Sequence, residues 1–241
     1  MQSTPKISVI IPTLNEEKLI TQTLSQFTPQ LKQKYSIEIV ISDGGSSDNT
    51  LNMLHPAADK IVLKDPAIHQ NISMGRNAGA KAASGSLLYF FNADTMIEDA
   101  EKFFSLTSDA FKDEKNLALT CRFHVFPEDV KLSDNLFHGF YNTYVRMLNA
   151  AGMGMGRGEC HIIRSEIFRK VNGYNELLAA GEDYDLYRRI KKLGIGRIKF
   201  LNSLRVFESP RRYRKFGYMS VFKDWTKNSL SVFFKDKSVS K

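Results

Sequence analysis

The sequence predicts an α/β domain with a mostly parallel central sheet flanked by helices. Short apolar and β-branched runs alternate with helical stretches through the first half, the pattern of strands joined by crossover helices. Polar residues collect just beyond the strand ends, where ligands bind in such sheets. The chain has 241 residues and no repeat or linker, so one domain with one substantial core is expected.

The elements follow in order. A strand at Ile7 to Ile11 leads through Pro12, Thr13, Asn15 and Glu16 into a helix over Glu17 to Phe27. A strand at Ile37 to Ser42 ends in Asp43-Gly44-Gly45-Ser46-Ser47-Asp48, where two glycines free the backbone and Ser or Asp can cap a helix over Asn49 to Leu54. Strand Lys60 to Leu63, a small-residue helix over Met74 to Ala83, and strand Leu87 to Asn92 complete this half. The three polar strand ends should converge on one cleft. Beyond Leu117 the pattern is less regular. It gives a strand at Ala118 to Phe126, a helix at Asn135 to Ala150, a glycine-rich stretch at Gly152 to Gly158 and a strand at Cys160 to Ile163. A helix from Ser165, an Asn172-Gly173-Tyr174 turn and a helix over Tyr184 to Leu193 follow.

Composition narrows the classes. The longest apolar run, Leu87 to Phe91, is far short of the roughly 20 residues a membrane-spanning helix needs. Met1 to Lys6 carries no signal-peptide pattern, so a soluble, cytoplasmic protein is expected. Cys121 and Cys160 lie in no CxxC or Cys/His arrangement and read as buried thiols. A net charge of +8 and a pI of 9.4 admit nucleic acid, an anionic membrane face or phosphorylated small molecules as partners.

The loops separate these. Asp43 belongs to a tight strand-to-helix turn, or its carboxylate accepts from a nucleotide base N–H. Asn92-Ala93-Asp94 offers oxygen ligands of the kind Mg²⁺ or Mn²⁺ share with substrate phosphates, with helix capping by Asp94 as the alternative. Arg76 suits a phosphate or ribose, or a surface ion pair. Gly181-Glu182-Asp183-Tyr184-Asp185 puts three carboxylates at a helix start. They either complement the helix dipole, or one of them serves as a base whose pKa its neighbours raise. The cluster Ser209 to Lys215 fits a diphosphate, nucleic acid or anionic lipid.

Taken in order, Ser8-Val9-Ile10-Ile11-Pro12-Thr13-Leu14-Asn15-Glu16-Glu17, the Asp43 loop, Arg76-Asn77-Ala78-Gly79, Asn92-Ala93-Asp94 and Glu182-Asp183 resemble glycosyltransferase family 2 of the GT-A fold. The resemblance spans roughly Ile7 to Arg212. It implies a UDP- or GDP-sugar donor, with Pro12, Thr13, Asn15, Glu16 and Asp43 around base and ribose. Arg76, Asn92 and Ala93 join the donor site, and Asp94 holds a divalent cation. Asp183, with Glu182 beside it, is implied as the base for an acceptor hydroxyl, giving inversion at the anomeric carbon. Arg211 or Arg212 is implied to steady the departing phosphate. The family usually has Asp-x-Asp where this chain has Asn92, which lowers the charge at the metal position. His161 and Glu208 are candidates for a third ligand, with burial or a surface position the blander account of each.

By this division residues 1–116 form the nucleotide-sugar half and 117–212 the acceptor half, with a basic amphipathic helix over 213–241. In the helix over Asn135 to Ala150, Leu136, Phe140, Tyr144 and Leu148 share one stripe, with Phe137, Tyr141 and Val145 beside it, and core packing is the default reading. Tyr218 to Lys237 mixes Val221, Phe222, Trp225, Leu230, Phe233 and Phe234 with lysines, which suits an interfacial helix touching an anionic membrane and a lipid-linked acceptor. A terminal helix packed on the domain is the alternative.

Carboxylates at three element ends speak against a nucleic-acid binder. Pro12-Thr13-Leu14-Asn15 replaces the glycine-rich turn a dehydrogenase needs, and the first loop lacks the basic phosphate loop of a pyrophosphorylase. The remaining competitor is a catalytically weak homologue that binds a nucleotide sugar as a ligand.

Overall fold

The computed structural model describes residues 6–54, 57–178 and 180–235, without the side chains of 229–231 and 233–235. Met1 to Pro5, Leu230, Phe233, Phe234 and Lys237 of the expectations above lie outside the described residues or side chains. One eight-stranded sheet runs β3-β2-β1-β4-β7-β6-β8-β5. Strands β1 (Ile7–Thr13), β2 (Ile37–Asp43), β3 (Lys60–Leu63) and β4 (Leu87–Phe91) are mutually parallel. Buried on both faces, β1, β2 and β4 read as continuous apolar runs, as crossover strands do.

Beyond β4 the sheet becomes mixed. β7 (Cys160–Arg164) pairs antiparallel with β4 and with β6 (Asn116–Val125), while β8 (Arg197–Glu208) runs parallel to β6 and carries the short β5 (Met96–Ile97) on its other edge. Two strands were not foreseen. β5 has only two residues, and β8 mixes buried with exposed positions without a clean alternation.

The helices layer on both faces. The first predicted helix is shorter than expected: α1 covers Ile20–Ser25. A second, α2 (Pro29–Tyr35), begins at a proline behind the Thr28 cap, whose hydroxyl accepts from Leu31 N at 3.2 Å. After α3 (Thr50–Leu54), helix α4 (Ile72–Ala82) is capped by Asn71 and lies hard against β1. A Cβ on Gly79 would stand 2.5 Å from Ile10 Cγ2, so only glycine allows that approach. α5 (Ala100–Phe111), capped by Asp99, packs Phe103 and Phe104 into an aromatic cluster with Tyr89 and Phe91. Helices α6 (Leu132–Ala150), α7 (Ser165–Lys170), α8 (Glu182–Lys192), α9 (Arg211–Phe216) and α10 (Tyr218–Lys235) follow along the chain.

The α6 expectation needs correction. Leu136 is 67% exposed and Phe140 57%, while Asp134, His138, Tyr141, Asn142 and Val145 face inward. Polar anchors choose the face. The Asn142 amide accepts from Phe123 N at 3.0 Å and donates to Phe123 O at 2.9 Å, beside the register shift in β6. Asp134 is buried against the Arg214 guanidinium. Hydrophobicity alone does not distinguish the two sides of this helix. α10 packs back on α8 and α9, with Val221, Asn228 and Val232 buried. Among the described residues no helix is long and apolar enough to cross a membrane.

Candidate active site

The three polar strand ends do converge. The loops after β1 and β2 are stitched together: Asn15 N donates to Ser46 Oγ, Ser47 N to Asn15 Oδ1, Glu16 N to Thr50 Oγ1 and Asn49 N to Glu17 Oε2, over 2.8–3.0 Å. They border a cleft of about 360 Å³ lined by Pro12, Thr13, Glu16, Gly44, Asn92, Ala93 and Asp94. Gln70, Asn71 and Ile72 close its far side; these came from a loop whose residues carry no chemical signature in sequence. Asn15 contributes through its loop: its backbone is left-handed, with φ 55°.

Asp43 holds the tight strand-to-helix turn, the first of the two roles open to it. Oδ1 accepts from the backbone N–H groups of Gly45 at 2.9 Å and Ser46 at 2.8 Å, and Oδ2 from the hydroxyls of Thr13 and Ser46. The carboxylate is buried and holds the loop, while Gly44 lines the cleft. Both carboxylate oxygens are thus engaged within the loop.

Asp94 projects into the cleft at the end of β4. Its Oδ2 accepts from Arg211 Nη2 at 3.0 Å, and the same guanidinium stands 3.6 Å from Glu16 Oε2. Glu16 is held above the usual carboxylate range by burial, against the pull of Arg211 and with the push of Asp94. Two carboxylates converging on one cationic group mark a place for positive charge. Few protein oxygens, with room for phosphate oxygens, suit Mg²⁺ or Mn²⁺. The structure brings neither proposed third ligand there. His161 is buried, its Nδ1 2.7 Å from the Tyr174 hydroxyl, and Glu208 is buried against Arg157 and Tyr213. Among the described residues no three His, Cys, Asp or Glu side chains gather as a metal cluster.

A second cavity of about 240 Å³ adjoins the first, and Ile72 and Asn92 line both. Arg76, expected to meet phosphate or ribose, is instead 1% exposed and ties the end of β4 to the start of α8. It donates to Glu182 Oε1 at 2.8 Å, Asn92 Oδ1 at 2.9 Å and Gly158 O at 2.6 Å. Asn92 thus gives one lone pair of its amide oxygen to Arg76, while the residue lines both cavities.

The three carboxylates of α8 divide. Glu182 is bound by Arg76, and Asp185 by Arg189 at 2.6 Å. Asp183 lines the second cavity without an ion pair among the described residues. Burial, then the charges of Glu182 and Glu159, push it up to about 8. No side chain caps this helix; its N-cap is Gly181, at φ 81°. Asp183 lies in the first turn, where it complements the helix dipole, and its Oδ1 accepts from Tyr184 N at 2.9 Å. Tyr141, Arg157, Glu159, Tyr184, Arg212, Trp225 and Asn228 complete the walls. Arg212 stands over the Trp225 ring at 5.7 Å, so the paired arginines diverge: Arg211 reaches the first cavity and Arg212 the second.

Sequence reading missed the buried group behind this wall. Arg157, 2% exposed, pairs with Glu159 at 3.3 Å and Glu208 at 2.5 Å. Burial, opposed by Arg157 and reinforced by Glu159, raises Glu208 to about 8. Burial and then Arg157 depress His138 to about 3, keeping it neutral. These residues are far apart in sequence, and only the β7–β6–β8 pairing gathers them.

An α/β sheet whose parallel strand ends carry an open cleft with one aspartate, beside a pocket with a second, defines the GT-A type of transferase fold. The chain belongs to glycosyl transferase family 2, whose family model matches residues 8–171. It is 27% identical over 210 residues to a probable glycosyltransferase, YdaM, of Bacillus subtilis, covering 80% of this chain and 48% of that protein. It is 35% identical over 95 residues to the poly(ribitol-phosphate) beta-N-acetylglucosaminyltransferase TarS of Staphylococcus aureus, covering 38% and 17%. The chain thus spans about half the length of the first relative and less of the second. Among solved structures, the mannosyltransferase PcManGT of Pyrobaculum calidifontis, in complex with GDP-Man and Mn²⁺, matches at a TM-score of 0.70 and 21% identity, over 95% of this chain and 63% of that one. Glucosyl-3-phosphoglycerate synthase of Mycobacterium tuberculosis matches at 0.67 and 17%, over 95% and 80%. At such identities the likeness is one of fold.

Proposed function

We propose that this chain transfers a sugar from a nucleoside-diphosphate donor to an acceptor hydroxyl, with inversion at the anomeric carbon. The observation that carries the reading is the adjacency of the two cavities. Asp94 stands in one and Asp183 in the other, with Asn92 lining both. The donor occupies the first with its base over the loops that Thr13, Asn15 and Asp43 order, and its diphosphate toward Asp94 and Arg211. A UDP- or GDP-sugar fits the relatives, among them TarS solved with UDP-GlcNAc and the mannosyltransferase solved with GDP-Man and Mn²⁺.

Asp94, with the diphosphate oxygens, would hold Mg²⁺ or Mn²⁺, which when bound neutralises the developing phosphate charge. Asp183 takes the proton from the acceptor hydroxyl. That oxygen attacks the anomeric carbon as the carbon–oxygen bond to the diphosphate breaks, on the opposite face. Arg211 turns from Asp94 to the departing diphosphate. The carboxylate at about 8 is a strong base once deprotonated, because burial and the charges of Glu182 and Glu159 outweigh the pull of Arg76. Buried, unpaired Cys121 and Cys160 suit the reducing cytoplasm as its location.

The test is calorimetry with UDP, GDP, CDP and dTDP, with and without Mn²⁺, joined to donor-hydrolysis and transfer assays. The reading expects one diphosphate to bind, Asp94→Ala to remove the metal effect, and Asp183→Asn to keep binding and lose transfer. Binding without any hydrolysis or transfer would make the chain a nucleotide-sugar-binding homologue. Absence of binding to every diphosphate would overturn the donor site.

A further inference from the structure

The outer faces of α6 and α10 carry an apolar stripe that the fold leaves uncovered. On α6, Leu132, Leu136, Phe140 and Met147 are 75%, 67%, 57% and 64% exposed. At about 100° per residue they fall within one narrow arc of the helix. The stripe continues onto the next helices. Phe140 packs edge-on against Phe222 of α10 at 5.7 Å, and the first turns of α6 and α10 meet through Phe137 and Tyr218. Phe216 and Met219, exposed by 57% and 67%, extend the surface. Such a concentration of large exposed apolar side chains on adjoining helices marks an interaction surface.

Charge selects the occupant. Between residues 211 and 227 stand Arg211, Arg212, Arg214, Lys215, Lys223 and Lys227 against the single acid Asp224. Arg211 and Arg214 are engaged by Asp94 and Asp134. Lys215, Lys223, Lys227 and, on the helices' other flank, Lys131 and Arg146 remain exposed around the stripe. The acids nearby are Glu128 and Asp129, ahead of α6 in the chain. A second copy of this chain would bring the same positive rim against it and be repelled. An anionic bilayer offers apolar chains beneath a negative surface, the complement of both features.

We propose that this face, Leu132, Leu136, Phe140, Phe216 and Met219 with their basic border, docks the protein on anionic membranes. The inward sides of the same two helices place Tyr141 and Trp225 in the Asp183 cavity, so docking sets that cavity just behind the lipid surface. The docking itself is independent of the transfer reading, and its test reads binding rather than turnover.

Vesicles of phosphatidylcholine, alone or mixed with phosphatidylglycerol, are sedimented with the full chain at low and high salt. The chain should pellet with the mixed vesicles, stay in solution with phosphatidylcholine, and be released by salt. Leu136→Glu/Phe140→Glu should weaken vesicle binding by about tenfold or more with unchanged diphosphate binding. Lys215→Glu/Lys223→Glu should do the same through charge. No pelleting with anionic vesicles, equal pelleting with neutral ones, or full binding by Leu136→Glu/Phe140→Glu would each overturn the proposal. So would a dimer in light scattering that Leu136→Glu/Phe140→Glu dissociates.

Discussion

Asp183 and Arg211 each respond to one local circumstance. Because Asp183 keeps its proton up to about 8, kcat/KM of the free protein should rise with pH and level off above that value. A pH–rate profile checks this, and Asp183→Asn should lose the activity altogether. The same shift has the opposite effect on stability. Below about 8 the folded chain holds protons on Asp183 and Glu208 that the unfolded chain releases near ordinary carboxylate values. Stability should therefore fall as pH climbs toward 8. Asp183→Asn removes one of these contributions, so its Tm at pH 8 should exceed that of the parent. Arg211 fills the place of positive charge at Asp94 and Glu16. Arg211→Ala should tighten Mn²⁺ binding in the absence of nucleotide while slowing turnover, and calorimetry beside a rate assay separates the two effects.

At the scale of elements, α4 rests on β1 through glycine. Gly79→Val would force a side chain into Ile10, a clash of overpacked cores that costs about 1–3 kcal/mol. Urea unfolding should report that loss, with Lys81→Ala, at an exposed position of the same helix, as a control. Elements also show where sequence reading succeeds. β1, β2 and β4 were legible within two residues because burial on both faces leaves them rich in apolar and β-branched residues, and the short edge strand β3 was legible from its β-branched Ile61 and Val62. α6 was located, but its buried face was not, since Asn142 and Asp134 set the orientation through partners in β6 and α9. β8 escaped notice because its strand neighbours, not its own pattern, make it a strand.

At the scale of the molecule, Arg76 joins the end of β4 to the start of α8. Its guanidinium bridges Glu182 of α8 with Asn92 after β4, inside the wall between the cavities. Arg76→Met would leave Glu182 without its cation, and breaking a buried pair from one side costs about 3–5 kcal/mol. Chemical denaturation should show that loss, and transfer should fall further than diphosphate binding because the Asp183 side loses its anchor.

By itself the sequence determined the α/β class, the parallel strands, the loops that border the cleft and the positions of Asp94 and Asp183. Each of these depends on local periodicity or on residues close together in the chain. Tertiary structure alone decided which partners each side chain meets. It turned Asp43 inward to hold its loop, gave Arg76 to Glu182 and Asn92, and sent Arg211 and Arg212 to different cavities. It also left Asp183 as the carboxylate without a cation and set the α6 stripe facing outward. The physical reason is that a charged group's role follows from its nearest opposite charge and its distance from water. Both are fixed by residues tens of positions away, which only the folded chain brings together.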